Sequence, residues 1–182
     1  MASPDRRAPL QVVRSRGGVG ARLVAAEAIR ARSSFFKISR PRYVERPTYQ
    51  TVQVGFARHA LSLGVLTFIN HSCHPNVIVD TSRMVCWATR DIAKGEELSY
   101  FYPSTEWVMA RPFLCLCGAA NCIRIVAGAR QLSTDVLARY FINEHIRAMI
   151  GDELTAASRA WMRRLSAPEP PPRGPRRSSA HR

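Results

Sequence analysis

Lysine is almost missing from this 182-residue chain: Lys37 and Lys94 are the only two, and arginine supplies the rest of the 27 basic residues. Acids are scarce as well, 13 in all, which leaves a formal charge of +14. An arginine-for-lysine skew with abundant alanine is the composition of a GC-rich genome. Its functional reading is an acidic partner, nucleic acid or an acidic protein. The excess sits at the ends: residues 1–32 carry seven arginines against two acids, and residues 157–182 seven against one. Such basic termini either add weak, sequence-independent affinity for phosphate or an acidic partner, or serve as soluble tails. No apolar run approaches the ~20 residues that span a bilayer, and no apolar segment follows the first seven residues, so neither membrane insertion nor a secretory signal is expected. That places the chain in the cytoplasm, or in the nucleus of a eukaryote. No internal repeat is present, which excludes a solenoid. The five cysteines are an odd number and three lie close together, which in a reducing compartment favours metal binding over disulfides.

What is present reads as a mostly-β domain of small sheets with peripheral helices. Residues 48–54, 77–79, 84–89 and 98–102 are short β-branched or aromatic runs. Turn chemistry at Asp80-Thr81-Ser82-Arg83 and Ala93-Lys94-Gly95 divides them. After residue 127 the period becomes helical. Val136, Leu137, Tyr140, Phe141, His145, Ile146 and Met149 share one face, with N-cap choices at Ser133, Thr134 and Asp135. A second helix is expected over about 152–165. Residues 1–9 and the Pro- and Arg-rich stretch 166–182 are expected to be disordered.

Three motifs follow in order: Asn70-His71-Ser72-Cys73, then Gly95-Glu96-Glu97-Leu98-Ser99-Tyr100-Phe101-Tyr102, then Cys115-x-Cys117-x4-Cys122. The last supplies three soft ligands around a turn at Gly118, where structural zinc takes four in a tetrahedron. On chemistry alone the fourth is Cys73, His71 or His74. Cys86 alternates within a strand and reads as a small buried hydrophobe. Upstream, Gly17-Gly18-Val19-Gly20 allows a tight turn and close backbone approach to a ligand.

The ordered trio resembles the SET domain with its post-SET cysteine cluster, the fold of protein lysine methyltransferases, over roughly residues 10–125. The resemblance implies a SET domain at 10–103 with its pseudoknot, a post-SET zinc loop at 104–126, and a helical segment at 127–165. It implies S-adenosylmethionine and zinc as cofactors, and a protein carrying a target lysine as substrate. Gly18, Val19, Gly20, Asn70, His71, Phe113 and Leu116 match the family's cofactor contacts. Cys73 matches the position that joins Cys115, Cys117 and Cys122 on the metal. Tyr102 matches the family's active-site tyrosine. Tyr100 matches the position, Phe or Tyr in the family, at the far end of the lysine channel, and a tyrosine there implies mainly monomethylation. The chemistry agrees: methyl transfer from a sulfonium to an amine is an in-line displacement, so alignment in a dry channel matters most. The amine must first lose its proton, at about 4 kcal/mol for a lysine near pH 7, and no His/Asp dyad is visible for that task. Two other readings stay open: a SET-like enzyme acting on a small molecule or another nucleophile, and an inactive SET-fold binding module.

Overall fold

The computed structural model describes residues 10–14, 20–61 and 63–165. The two termini expected to be disordered, together with Gly18 and Val19, lie outside the described residues. The described residues up to Ile150 belong to one compact unit and those from Gly151 onward to another.

Among the described residues there are twelve short strands and two α-helices. Strands β1 (Leu10–Arg14) and β2 (Ala21–Ala25) form an antiparallel hairpin. A three-stranded sheet has β6 (Arg58–Leu61) between β4 (Arg42–Val44) and β5 (Val52–Gly55). The main sheet has the order β3 (Ser34–Lys37), β9 (Val85–Ala88), β8 (Val77–Asp80), β10 (Ser99–Tyr100), β7 (Asn70–His71). Its antiparallel half is β3 beside β9 together with the β8–β9 hairpin that the alternation of residues 77–89 predicts. Its other half is parallel: β10 lies beside both β7 and β8. A last pair, β11 (Phe113–Leu114) and β12 (Ile125–Val126), closes the cysteine loop.

Side chains take over where strands are too short to pair. Asn76 is 2% exposed. Its Oδ1 accepts from Ser99 N at 2.9 Å and its Nδ2 donates to the Glu97 carbonyl at 2.8 Å. Asn76 thus continues the ladder between β8 and β10. The segment before β10 also joins β2, through Leu98 N to Leu23 O at 2.8 Å and Ala25 N to Glu96 O at 2.9 Å. Leu23, Val77, Cys86, Ile92, Leu98 and Tyr100 fill the core between these elements, and Cys86 packs there as the small hydrophobe expected.

Two segments differ from the sequence reading. The run 98–102 is not one strand: Tyr102-Pro103-Ser104 turns into a 3-10 helix, since proline has no N–H to continue the ladder. The helical face of residues 136–149 is likewise divided. α1 (Thr134–Leu137) is one turn, capped by the Ser133 hydroxyl, and α2 (Glu144–Leu165) then runs through Gly151 to include the second expected helix. Of the expected face, Leu137, Tyr140, Ile146 and Met149 pack in one cluster with Phe101 and Ile142, while Phe141 is exposed.

Asn143 lies at the end of the break, where its backbone N–H donates to the Ser104 carbonyl at 3.1 Å rather than within a helix. It is 1% exposed and its side chain is spent on tertiary bonds. Oδ1 accepts from Thr81 N and Thr81 Oγ1, at 2.8 and 2.9 Å, and Nδ2 donates to the carbonyls of Val79 and Ser104, both at 2.9 Å. Asn143→Ala leaves these buried groups unpaired, at roughly 1–3 kcal/mol for each one lost. We expect a loss of about 3 kcal/mol or more in urea denaturation, and an unchanged midpoint would show that the tie is dispensable.

Candidate active site and cysteine cluster

The parallel register of β7 and β10 sets Asn70 beside Ser99 and His71 beside Tyr100. Two clefts open around this pairing, and consecutive residues serve different ones. Ile69 lines a cleft of about 290 Å³ with Tyr100, Tyr102, Glu106, Arg111 and Phe113. Asn70 lines a wider one of about 580 Å³ with Gly20, Ala21, Arg14, Arg22 and Glu97.

In the narrow cleft the two tyrosines of the Gly95–Tyr102 motif meet, with ring centroids 4.7 Å apart. Tyr102 donates its hydroxyl proton to the Ile69 carbonyl at 2.8 Å. Burial, reinforced by the negative charges of Glu106 and Glu97, holds the Tyr102 phenol well above its ordinary range. Tyr100 is pushed up in the same way, mainly by burial. Both therefore stay protonated near neutral pH and act as hydrogen-bonding groups rather than bases.

His71 uses both ring nitrogens. Nδ1 accepts from Tyr102 N at 3.2 Å, so the proton resides on Nε2, which lies 3.3 Å from Cys73 Sγ. Burial lowers this imidazole to about 4, so it is neutral. Its ring stands edge-on to Tyr102 and Phe113, at centroid distances of 5.3 and 6.0 Å. Any contact His71 makes with a ligand thus falls to its backbone or ring face.

Cys73, Cys115, Cys117 and Cys122 converge, with all four sulfurs within 4.8 Å of one another. Ideal tetrahedral coordination at about 2.3 Å per Zn–S bond separates sulfurs by about 3.8 Å, and Cys73 and Cys115 are 3.9 Å apart. Burial pushes the thiols of Cys73 and Cys115 up, a cost that a divalent cation would reverse. Backbone N–H groups of Ile123 and Arg124 point at Cys73 and Cys122 Sγ, each at 3.4 Å, as donors that suit thiolates. The donor set and its spacing fit a tetrahedral thiophilic metal. The Cys73 carbonyl is fixed separately, by Tyr140 Oη and Asn121 Nδ2 at 2.9 Å each, while Tyr140 stacks on Phe101 with centroids 3.6 Å apart.

The structure therefore brings together Tyr100, Tyr102, His71 and Phe113, separately the four cysteines, and separately Gly20 with Asn70. Leu116 is not drawn in, being 92% exposed. Three acids and bases of the site escaped the motif reading. Arg22 lies 3.9 Å from Glu97, and Asn70 Nδ2 donates to Glu97 Oε1 at 2.8 Å. Glu97 stood within a quoted motif, but nothing in the sequence separated it from Glu96, which turns instead to Arg90 at 2.6 Å. Glu106 had one signal, being the lone acid between Tyr102 and Cys115.

Glu106 is held by a reciprocal exchange. Gln53 N donates to its Oε1 at 2.9 Å, and Trp107 N donates to Gln53 Oε1 at 2.9 Å. Thr105 Oγ1 lies 3.2 Å from the same carboxylate oxygen. Ala129 N fixes the Glu106 carbonyl at 2.8 Å.

Comparison with known proteins places this geometry. The SET domain profile matches residues 20–103. The methyltransferase flvH of Aspergillus flavus is 34% identical over 157 residues, covering 85% of this chain and 88% of that protein. The H3 lysine-36 specific histone-lysine N-methyltransferase of Candida albicans is 33% identical over 53% of this chain, but the match spans 11% of its own length. The H3 lysine-4 specific enzyme of Emericella nidulans is 47% identical over 32% of the chain and 5% of its length. Among solved structures, KRYPTONITE in complex with mCHH DNA, an H3(1–15) peptide and SAH superposes with a TM-score of 0.51. It is 26% identical, over 65% of this chain and 29% of that one. The chain belongs to the SET domain family and is a SET-domain methyltransferase. Among the described residues, no helix is long and apolar enough to cross a membrane.

Burial raises the Glu106 carboxyl to about 7, which gives stability a pH dependence. An unfolded glutamate ionises near 4.5 and the folded one near 7, so between these values only the folded state holds the proton. The contribution is complete below about 4.5 and lost as pH rises through 7, on the order of 3 kcal/mol in all. Glu96, lowered to about 2 chiefly by Arg90, acts oppositely, between about 4.5 and 2 and outside this window. Glu106→Gln should thus gain on wild type between pH 5 and pH 8 in urea melts. Parallel profiles would contradict an ionisable buried carboxyl.

Proposed function

We propose that this chain methylates a lysine side chain of a protein, from S-adenosylmethionine, adding mainly one methyl. The observation that carries the reading is the pairing of β7 with β10. It sets a narrow aromatic cleft and a wide polar one around adjacent residues Ile69 and Asn70. S-adenosylmethionine, when bound, supplies a methyl group on a positively charged sulfur. The wide cleft offers complementary groups for its amino-acid end: Arg14 and Arg22 for the carboxylate, Glu97 and Asn70 for the ammonium, and backbone at Gly20 for close approach. Gly18 and Val19, outside the described residues, are assigned to the same end from the family match, and His71, Phe113 and Leu116 to the adenine end. Phe113 and Leu116 are 39% and 92% exposed, apolar surface that a bound ligand would cover.

In the narrow cleft, Tyr102 orients the nucleophile. Its proton is committed to the Ile69 carbonyl, so its oxygen lone pairs are left to accept from an amine N–H. Tyr100, buried beside it, occupies with its hydroxyl the space that a methylated amine would need, and displacing a bonded polar group with a methyl is unfavourable. The names of the histone-lysine enzymes and the H3 peptide in the KRYPTONITE complex support a protein substrate. They do not single out histone, since the chain matches only small parts of those enzymes.

Zinc is assigned to Cys73, Cys115, Cys117 and Cys122, where it would tie the loop bearing Phe113 to the segment bearing His71. Purified protein should hold one zinc per chain by elemental analysis. Cys117→Ser should lose it and raise proteolytic cleavage across residues 104–126. Metal-free protein fully stable in a chelator would refute this site.

The activity test is incubation with labelled S-adenosylmethionine and a cell lysate, with the label located by mass spectrometry. Label on protein lysine, mostly monomethyl, is expected; label on small molecules alone would favour the small-molecule reading. Tyr102→Phe should lower turnover by at least tenfold with cofactor affinity nearly unchanged. Tyr100→Phe should shift products toward di- and trimethyl-lysine.

A further inference from the structure

The narrow cleft contains a charge that the assignments above leave unused. Glu106 lines it with Tyr100 and Tyr102 and is 6% exposed. Both hydrogen bonds to its carboxylate fall on Oε1, from Gln53 N and Thr105 Oγ1. Among the described residues none donates to Oε2, and none forms an ion pair with Glu106. The ion pairs found are Arg22–Glu97, Arg83–Asp80 and Arg90–Glu96. A purely structural role would be served equally by a glutamine. Its amide oxygen accepts the same Gln53 N–H, without the cost of burying an unpaired carboxylate. The ionisable group is therefore explained by something that enters the cleft, and what compensates a buried carboxylate is a cation with N–H donors.

We propose that Glu106 is the amine-recognising and proton-accepting group of the substrate cleft. Its carboxylate pairs with an incoming primary alkylammonium and takes one proton from it. In that step one N–H bond breaks and an O–H bond forms at Oε2. The electron pair stays on nitrogen as the lone pair that the nucleophile needs, and the proton leaves to water when the cleft reopens. The tyrosines cannot do this, since both hold their own protons. The His71 ring cannot, since both its nitrogens are engaged. A carboxyl titrating near 7 is suited to accept a proton at neutral pH. The inference rests on the reading of this cleft as the nucleophile's channel, and it narrows the substrate to aliphatic amines, excluding hydroxyl and thiol nucleophiles.

The test uses n-butylammonium as a stand-in for the end of a lysine side chain. It is titrated into the full chain with and without S-adenosylhomocysteine and followed by protein NMR. Wild type should bind it roughly tenfold more tightly at pH 8 than at pH 6, as a carboxyl with a midpoint near 7 ionises. The other groups facing this one should not produce that change. Tyr100 and Tyr102 are raised, and burial holds His145, which bonds the Thr105 carbonyl, below its usual 6.5; Arg111 also lines the cleft. Glu106→Gln should weaken binding at pH 8 at least tenfold and flatten the pH dependence. Its affinity for S-adenosylhomocysteine should stay within about twofold of wild type. Should Glu106→Gln not fold, the wild-type pH profile decides alone. Equal affinity in the two proteins, a flat wild-type profile, or no amine binding would each overturn the proposal. Wild type that binds the amine through Glu106 but not S-adenosylhomocysteine would keep this inference and overturn the methyl-transfer reading instead.

Discussion

The parallel pairing of β7 with β10 is the constraint on which the rest of the structure depends. Two residues on each side are enough to align Asn70 with Ser99 and His71 with Tyr100. So short a ladder cannot hold itself. Asn76 lengthens it with side-chain amide bonds, the β2 backbone braces the residues before it, and Leu98 and Tyr100 bury their side chains in the core beneath. Chain segments some thirty residues apart thereby meet, and each cleft of the site begins at that meeting.

The cysteine cluster depends on the same pairing through His71. One imidazole nitrogen takes the backbone N–H of Tyr102 and the other reaches Cys73. The residue that positions Tyr102 thus also touches the sulfur cluster. Tyr140 and Asn121 hold the Cys73 carbonyl from the far side. The chain after the cysteines is consequently part of the site's support: Tyr140, just past α1, buttresses the cluster, while Asn143 fastens the start of α2 to the end of β8.

Much of this was legible in the residues. The β8–β9 hairpin could be read from its alternation and its Asp80–Arg83 turn. The shared face of Leu137, Ile146 and Met149 could be read from helical spacing, although the break ending at Asn143 could not, because an asparagine spent on distant carbonyls looks locally like any other. The strand drawn through Tyr102 overran by two residues, since β10 ends at Tyr100 and the chain turns into the 3-10 helix that contains Pro103. Cys115, Cys117 and Cys122 were identifiable as a set because metal ligands are constrained in type and spacing. Which thiol or imidazole completes the set was open on chemistry alone, and the fold decides it by bringing Cys73 into the cluster and turning His71 to support it.

By itself, then, the amino-acid sequence pointed to the family, the three clustered cysteines and the aromatic pair, because each is a pattern of residue types at short range. The tertiary structure decided which charges matter. Glu96 and Glu97 are neighbours in the chain, yet one pairs with Arg90 and the other faces Asn70 and Arg22. Glu106 carried no motif at all. Its importance comes from burial and from the Gln53 backbone that reaches it across fifty-three residues, and neither solvent exclusion nor a long-range hydrogen bond is written in local order.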